Sequence, residues 1–284
     1  MSAQQSGVRF AAGIIIFAIL FISAAAGCKK KDISQNLSPN LNIANDIVFA
    51  ERGLFHTFDL LLKANLDSAI LKYGVGSIDK AGVRYDSAAR QFIFYYQSRI
   101  CADSVDRNGN IIVNLSGNFF SPGTHAKVVF ENYSEDSRQF IGSDSLFNEG
   151  NTTGSGIIYA SFIDSLIISK DASQSTKWHS LFVYHLPDAI TILPDSLLQL
   201  TITGSAFGSS SAGYPFLFQI SYPLLNDFNC PWIRQGVMSL STPSVQVTSG
   251  YIEYANQAIC DNRVTYIFDG NIFKGWINRN KLNF

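Results

Sequence analysis

From about residue 81 to the C-terminus the chain never sustains a helical period. Short runs of β-branched, aliphatic and aromatic residues alternate instead with clusters of Gly, Ser, Asn, Asp and Pro. This is the pattern of strands joined by turns. Eleven runs stand out: Gln91–Gln97, Ile111–Leu115, Lys127–Asn132, Ile157–Ser169, Lys177–Leu186, Leu198–Thr203, Phe216–Tyr222, Trp232–Leu240, Gln246–Tyr254, Arg263–Phe268 and Ile272–Ile277. Parallel neighbours would need helical crossovers between them, and the short polar connections leave no room for any, so the pairing is expected to be antiparallel. A sheet this large must close or protect its edges, which a sandwich, a barrel or an extended curved sheet would each do. Asn108-Gly109 and Asp269-Gly270 are the two hairpin signals, because both residues of such turns adopt positive φ. Gly204 to Gly213, with Ser209, Ser210 and Ser211, reads as a flexible loop. The absence of a fixed-period repeat argues against a propeller or solenoid.

Ahead of the β region the period is helical. Ala44, Ile47, Phe55, Phe58, Leu61 and Leu62 recur at spacings of three and four, which predicts an amphipathic helix over Asn42–Leu66. Gly53 weakens it by about 1 kcal/mol relative to Ala, and Gly74 with Gly76 closes the helical segment. The apolar stripe is expected to pack on one face of the sheet. Residues 29–41 are polar and contain Pro39, so they read as a tether. The expected plan is therefore a leader (1–27), a modified cysteine and tether (28–41), a helical segment (42–80) and an antiparallel β domain (81–284). The fold class is mainly β.

The N-terminus carries one positive side chain, Arg9, and then an uncharged stretch to Gly27 whose apolar centre is Ile14 to Ile22. That is the layout of a secretory signal. The small residues Ala24, Ala25, Ala26 and Gly27 directly precede Cys28 and resemble a lipobox, which implies that Cys28 carries palmitate-type acyl chains. A transmembrane helix is the competing reading, since the stretch reaches the lower limit for a span. Lys29, Lys30 and Lys31 just beyond it oppose that orientation by the positive-inside rule. The lipoprotein reading places the chain at the outer membrane, on its periplasmic or extracellular face.

The 21 basic and 22 acidic side chains nearly cancel, and after the three lysines no block of one sign remains. Nucleic acid, whose binding rests on a basic patch, is not an expected partner. With Cys28 assigned to lipid, Cys101, Cys230 and Cys260 share an oxidising compartment. A hairpin turning near Pro243 would bring Cys230 beside residues 256–260, so Cys230 with Cys260 is the favoured disulfide and Cys101 is left over. None of these cysteines has the short-spaced company of a zinc site, and no metal or other cofactor is expected.

The kits of catalysis are mostly missing. There is no G-x-S-x-G elbow, because Gly208-Ser209-Ser210-Ser211-Ala212-Gly213 lacks the second glycine of the motif. His179 and His185 share a strand face but sit roughly 20 Å apart, and His56 and His125 fall in other elements. Asp106-Arg107-Asn108-Gly109-Asn110 half-matches a calcium loop, yet Ile111 stands where that loop needs glycine and Gly117 where it needs glutamate. The expectation is a protein that is not an enzyme. One enrichment is harder to explain by composition. Asp followed by Ser and an aliphatic residue occurs around Ser68, Ser87, Ser104, Ser145, Ser165 and Ser196, and the triplet resembles the O-glycosylation acceptor of exported Bacteroidota proteins. Asp-Ser turns are the plainer source of the same pattern.

Cys28-Lys29-Lys30-Lys31-Asp32, Cys101-Ala102-Asp103, Asn229-Cys230-Pro231-Trp232-Ile233 with Gly236, and Cys260-Asp261-Asn262 leading to Asp269-Gly270 resemble a family of uncharacterised Bacteroidota lipoproteins. This chain departs from the family at Glu253-Tyr254-Ala255-Asn256, where a Gly-rich acidic turn is usual. The resemblance implies the plan of signal, helix and long β region over most of the chain, and brings no activity with it. The leading expectation is a structural or interaction module that meets another envelope protein. Carbohydrate binding as an accessory to glycan capture is the alternative, and a hydrolase a more distant one; the former needs a planar row of exposed aromatics, whereas Phe92, Phe94, Tyr95, Tyr96, Trp178, Tyr184, Tyr251 and Tyr254 read mainly as strand and core residues.

Overall fold

The computed structural model describes residues 33–101, 103–151, 156–187, 199–227, 230–254 and 260–277; the leader, Cys28 and Ser196 lie outside them. Residues 37–284 form one compact unit, which holds the whole sheet and all but the first turn of the long helix, and residues 1–36 form another. Helix α1 (Ile33–Leu66) is followed by a short α2 (Ser68–Tyr73). Asp67 caps α2 by accepting the amides of Ala69 and Ile70, and Gly74 ends it at a φ of 74°. Fourteen strands come next: β1 (Val75–Ile78), β2 (Ala81–Asp86), β3 (Gln91–Ile100), β4 (Asp106–Leu115), β5 (His125–Glu135), β6 (Arg138–Gly150), β7 (Ile157–Ser169), β8 (Ser175–Leu186), β9 (Gln199–Ser209), β10 (Pro215–Asp227), β11 (Gln235–Ser241), β12 (Ser249–Tyr254), β13 (Arg263–Phe268) and β14 (Asn271–Trp276). Each pairs antiparallel with the next in one sheet, with β1 and β14 as its edges. The protein is thus mainly β, and a single extended sheet is the form it takes.

The sheet bends because its long strands carry bulges. Register slips occur within the pairings of β3 with β4, β4 with β5, β5 with β6, β6 with β7, β7 with β8 and both pairings of β10. Each slip adds local twist and bends its strand. The concave side holds α1. Leu41, Ile43, Ala44, Ile47, Ala50, Leu60, Leu61 and Leu62 are wholly buried, and they lie on every face of the helix. Side chains of α1 reach partners from one edge of the sheet to the other: Lys63 meets Asp79 after β1, Phe58 stacks on Tyr184 of β8 with ring centroids 4.1 Å apart, and Asn45 accepts the Tyr266 hydroxyl of β13 at 2.8 Å. At Gly53 helix and sheet approach closely, since a Cβ there would lie 2.5 Å from the Phe140 ring of β6.

Several expectations change. The helix starts at Ile33 and not Asn42, so residues 33–41 are helical and not tether; Leu37, Asn40 and Leu41 are buried, and that burial outweighs the poor fit of Pro39. The stripe expected to face one sheet surface belongs to a helix surrounded by sheet. Strands begin at Val75, inside the segment read as helical to residue 80, and β1, β2 and β6 add to the eleven expected. Asn108-Gly109 is not a hairpin turn. Gly109, at φ 89°, is a bulge inside β4, where a Cβ would lie 2.1 Å from the Asn132 carbonyl oxygen, while the chain turns between Ile100 and Asp106. Asp269-Gly270 does turn, with φ of 49° and 72°. Gly204 to Ser209 is part of strand β9, and only residues 210–214 connect it to β10.

Cys230 and Cys260 are joined by a disulfide across the β11–β12 hairpin, and Cys101, also buried, is not part of it. Phe58 joins the helix to one aromatic cluster of the sheet, packing against Phe119, Tyr159 and Tyr184. Replacing it with alanine opens a cavity in the aromatic contact between helix and sheet. We expect Phe58→Ala to cost about 3–5 kcal/mol, read from urea unfolding followed by tryptophan fluorescence.

Candidate functional site

At the C-terminal end of α1 the filling is incomplete. A cavity of about 560 Å³ lies against Phe55, His56, Asp59, Lys63 and Leu66, whose spacing of three and four turns one helix face toward it. Its other walls are Asp67, the end of β1 with Asp79, Cys101 and Asp103 of the β3–β4 connection, Arg107 of β4, and Pro231. The Cys101–Asp103 and Asn229–Ile233 segments, far apart in sequence, therefore meet at this cavity through Cys101, Asp103 and Pro231.

Behind the cavity lies a buried ionic network. Arg107 is wholly buried; its two terminal nitrogens donate to the two Asp103 oxygens at 2.8 and 2.6 Å, and its Nε to Glu135 Oε1 at 2.8 Å. Arg52 of α1 donates to Glu135 Oε2 from Nη2 at 2.8 Å and from Nη1 to the Ile277 carbonyl at 3.1 Å. Its Nη2 also reaches Asp136, nearer to solvent, at 3.3 Å. The Tyr133 hydroxyl adds a donor to Glu135 at 2.7 Å. Burial alone would raise the Glu135 carboxyl, but the guanidiniums of Arg107 and Arg52 hold it well below the usual carboxylate range. Two guanidiniums against two deeply buried carboxylates give a balanced interior set, so its role is to lock α1 to β4, β5 and the end of β14. His56 meets the Tyr96 hydroxyl at 2.8 Å; burial, and then Arg107, depress it to about 3, so it is neutral.

Two carboxyls elsewhere on the concave side have no cation among the described residues. Glu51 accepts the Tyr254 hydroxyl at 2.8 Å and is pushed up to about 7 by burial, against the lowering effect of that bond. Asp144 accepts Ser161 Oγ at 2.9 Å and is likewise raised to about 7 by burial. Both are enclosed by the core, and we read both as part of the packing.

Apolar side chains are exposed at several outward strand positions, Ile141, Tyr222, Tyr251 and Ile272 among them, and one group is contiguous across four strands. Phe162 of β7, Leu181 of β8, Phe207 of β9 and Leu217 of β10 are 55, 53, 55 and 51 % exposed. Phe162 is directly opposite Leu181, and Phe207 directly opposite Leu217. Leu181 and Phe207 lie on one diagonal, so the four side chains, with Phe147 of β6 beyond Phe162, make a continuous oblique stripe. The His179 ring lies flat on Phe207 at 4.8 Å, and His125 meets Phe147 edge-on at 5.3 Å. Half-exposed rings of about 150–250 Å² each give a patch on the order of 500 Å², toward the upper end of the ~300–600 Å² found on monomers. Of the aromatics weighed in the sequence, Phe92, Phe94, Tyr96, Trp178, Tyr184 and Tyr254 are buried, as packing residues should be, and Tyr251 is half exposed.

The candidate modification sites fall on the surface. Ser68, Ser87, Ser104 and Ser165 are exposed and Ser145 half-buried on the outer face of β6. In three of the triplets the aspartate accepts the amide of the residue two positions on: Asp67 from Ala69, Asp86 from Ala88 and Asp103 from Val105. Turn chemistry thus accounts for half of the enrichment. Asp144, by contrast, points inward.

Protein-family profiles, curated proteins and solved structures were compared with the chain, and none matches. Among the described residues, no cluster of three or more His, Cys, Asp or Glu could hold a metal ion, and no helix is long and apolar enough to cross a membrane. Residue chemistry alone therefore carries the functional argument. Sequence reasoning does not single out Asp59, Lys63, Arg52 or Glu135. For Asp59 and Lys63 the available signal is a charged pair four apart that brackets the apolar run Leu60-Leu61-Leu62.

The pH dependence of stability follows from these groups. Glu51 and Asp144 hold their protons more tightly folded than unfolded, so the stability they contribute is complete near pH 4, is lost as pH rises to about 7, and changes no further. His56 and Glu135 are shifted down and act oppositely, losing their contribution on acidification. The double variant Glu51→Gln, Asp144→Asn should remove a decline on the order of 2–3 kcal/mol per site between pH 5 and pH 8. Urea midpoints at the two pH values measure this, and equal slopes in variant and parent would refute it.

Proposed function

We propose that the protein is a lipid-anchored, non-catalytic interaction module of the outer membrane, held at the periplasmic or extracellular face through acylated Cys28, whose convex stripe docks another envelope protein. The observation that carries this reading is the stripe itself. The concave side, where a curved sheet would ordinarily receive a guest, is filled by the chain's own helix, so binding surface is left on the outside and at the helix end. Four neighbouring apolar side chains more than half exposed cost solvation free energy unless something covers them. Their chemistry favours a protein over a glycan. Phe and Leu carry no hydrogen-bonding group, whereas sugar platforms combine a ring face with polar groups that read hydroxyls. Two or three acyl chains, at about 0.8 kcal/mol per buried methylene, make an anchor that needs no spanning helix. Glycans on Ser68, Ser87 or Ser104 would lie on α2 and on the β2–β3 and β3–β4 connections, off the strands that carry the stripe, and only Ser165 shares a strand with it.

Two measurements test the proposal. Growth with an alkyne-tagged palmitate should label the chain, and Cys28→Ala should abolish the label; an unlabelled parent would remove the anchor. Benzoyl-phenylalanine placed at position 162 or 207 in native envelopes should give one discrete photo-crosslinked protein species, absent when the probe is at Lys274 on the same sheet. Crosslinks to lipid alone, or equal yields from all three positions, would reject the docking face, and crosslinks to polysaccharide would favour the glycan reading.

A further inference from the structure

The cavity at the end of α1 carries chemistry that the docking stripe does not use. We propose that it is a binding site for a small primary amine with an apolar body, the ammonium entering between Asp59 and Asp79. The inference is independent of the partner reading, since the residues belong to the concave side and the helix end.

The charges of the wall decide the sign of the ligand. Arg107 and Asp103 neutralise one another and are tied to Glu135 behind them. Asp67 is committed to capping α2, and His56 is neutral. That leaves two carboxylates, Asp59 and Asp79, sharing the single ammonium of Lys63 at 2.7 and 3.0 Å. No other cation among the described residues makes an ion pair with either. The trio is thus one positive charge short, beside a cavity of about 560 Å³, within the ~300–1,000 Å³ range of small-molecule sites. Burial raises Asp59 to about 6 even with Lys63 attached, as expected of a carboxylate whose neutralisation is incomplete. An entering ammonium supplies three donors and the missing charge, whereas an anion would have to compete for a lysine already engaged twice. Phe55, Leu66 and Ile78 line the same space and give an apolar body somewhere to lie. A bare metal ion is the poorer guest, because two carboxylates held by a lysine offer too few oxygen ligands.

The test uses the full chain in detergent and three matched probes: 2-phenylethylamine, 2-phenylethanol and 3-phenylpropanoate. Saturation-transfer NMR and calorimetry should show the amine binding at least tenfold more tightly than the alcohol, and the acid not binding. Asp79→Asn, at a half-exposed turn position where folding tolerates the change, should weaken amine binding tenfold or more and leave the melting temperature near that of the parent. Asp59→Asn should act in the same direction. Equal affinity for amine and alcohol would show a merely apolar cavity. Amine binding unchanged in a folded Asp79→Asn chain, or absence of amine binding to the folded parent at millimolar concentration, would each overturn the proposal.

Discussion

A single sheet of fourteen strands has two faces and nothing of its own to cover either, so its existence depends on what fills the concave side. Helix α1 does this, and the cost is visible in its composition. A helix surrounded by sheet must be buried on all sides, yet Asn40, Asp46, Glu51, Arg52 and His56 all lie on it and are nearly inaccessible. Each is hydrogen-bonded to the sheet or to the loops that join its strands: Asn40 to Thr242 and Val247, Asp46 to Arg138 and Ser211, Glu51 to Tyr254, Arg52 to Glu135 and His56 to Tyr96. A buried polar group without a partner costs about 1–3 kcal/mol, so these bonds tolerate only one placement of the helix. An apolar helix of the same shape could slide or rotate within the trough; this one is keyed.

The strongest key is the pair of guanidiniums around Glu135. Buried ion pairs contribute little net stability, because desolvation offsets most of the attraction, but removing one partner leaves an uncompensated charge in the core. Arg52 comes from the helix, Arg107 from β4 and Glu135 from the end of β5, and Arg52 also holds the Ile277 carbonyl after β14. The early and final strands are therefore referred to one point on the helix. This matters more here than in a closed barrel, because β1 and β14 do not hydrogen-bond to each other and the backbone alone does not fix the curvature. The Cys230–Cys260 bond works at the opposite end of the problem, tying the β10–β11 connection to the start of β13 through covalent chemistry.

Much of this is legible in the residues, and the failures have physical causes. Strands with clean alternation, such as Lys177 to Leu186, can be read because one side faces a core and the other water. Strand β6 escapes because Gly142, Ser143, Asp144 and Ser145 carry the signature of a turn. In the structure that polar middle is a bulge with Gly142 against the Ser165 carbonyl, and Asp144 turned inward to Ser161. Asn108-Gly109 misleads for the same reason in reverse, since positive φ serves a bulge as well as it serves a turn. Pro39 reads as the end of order, but local preference for or against helix amounts to a few kcal/mol at most, and burial of Leu37, Leu41 and Ile43 exceeds it. The cavity is invisible in the sequence because its walls come from α1, β1, β4 and Pro231, and no short window contains the pair of Asp59 and Asp79 on one lysine.

The arrangement also explains where the proposed binding chemistry lies. Curved antiparallel sheets offer a concave surface as their natural receptor, and here that surface is taken up by the fold itself. What remains are two places where filling fails. One is the helix end, where α1 stops short and charged side chains line the gap; the other is the outer face, where Phe162, Leu181, Phe207 and Leu217 form a contiguous apolar stripe. Neither feature helps the domain to fold. The outer four are apolar groups left in water, and the shared lysine leaves a carboxylate undercompensated where a second lysine or an asparagine at position 79 would have balanced it. Both places carry a local cost that the packing does not require, and that shared cost is the physical ground on which the two proposed contacts rest.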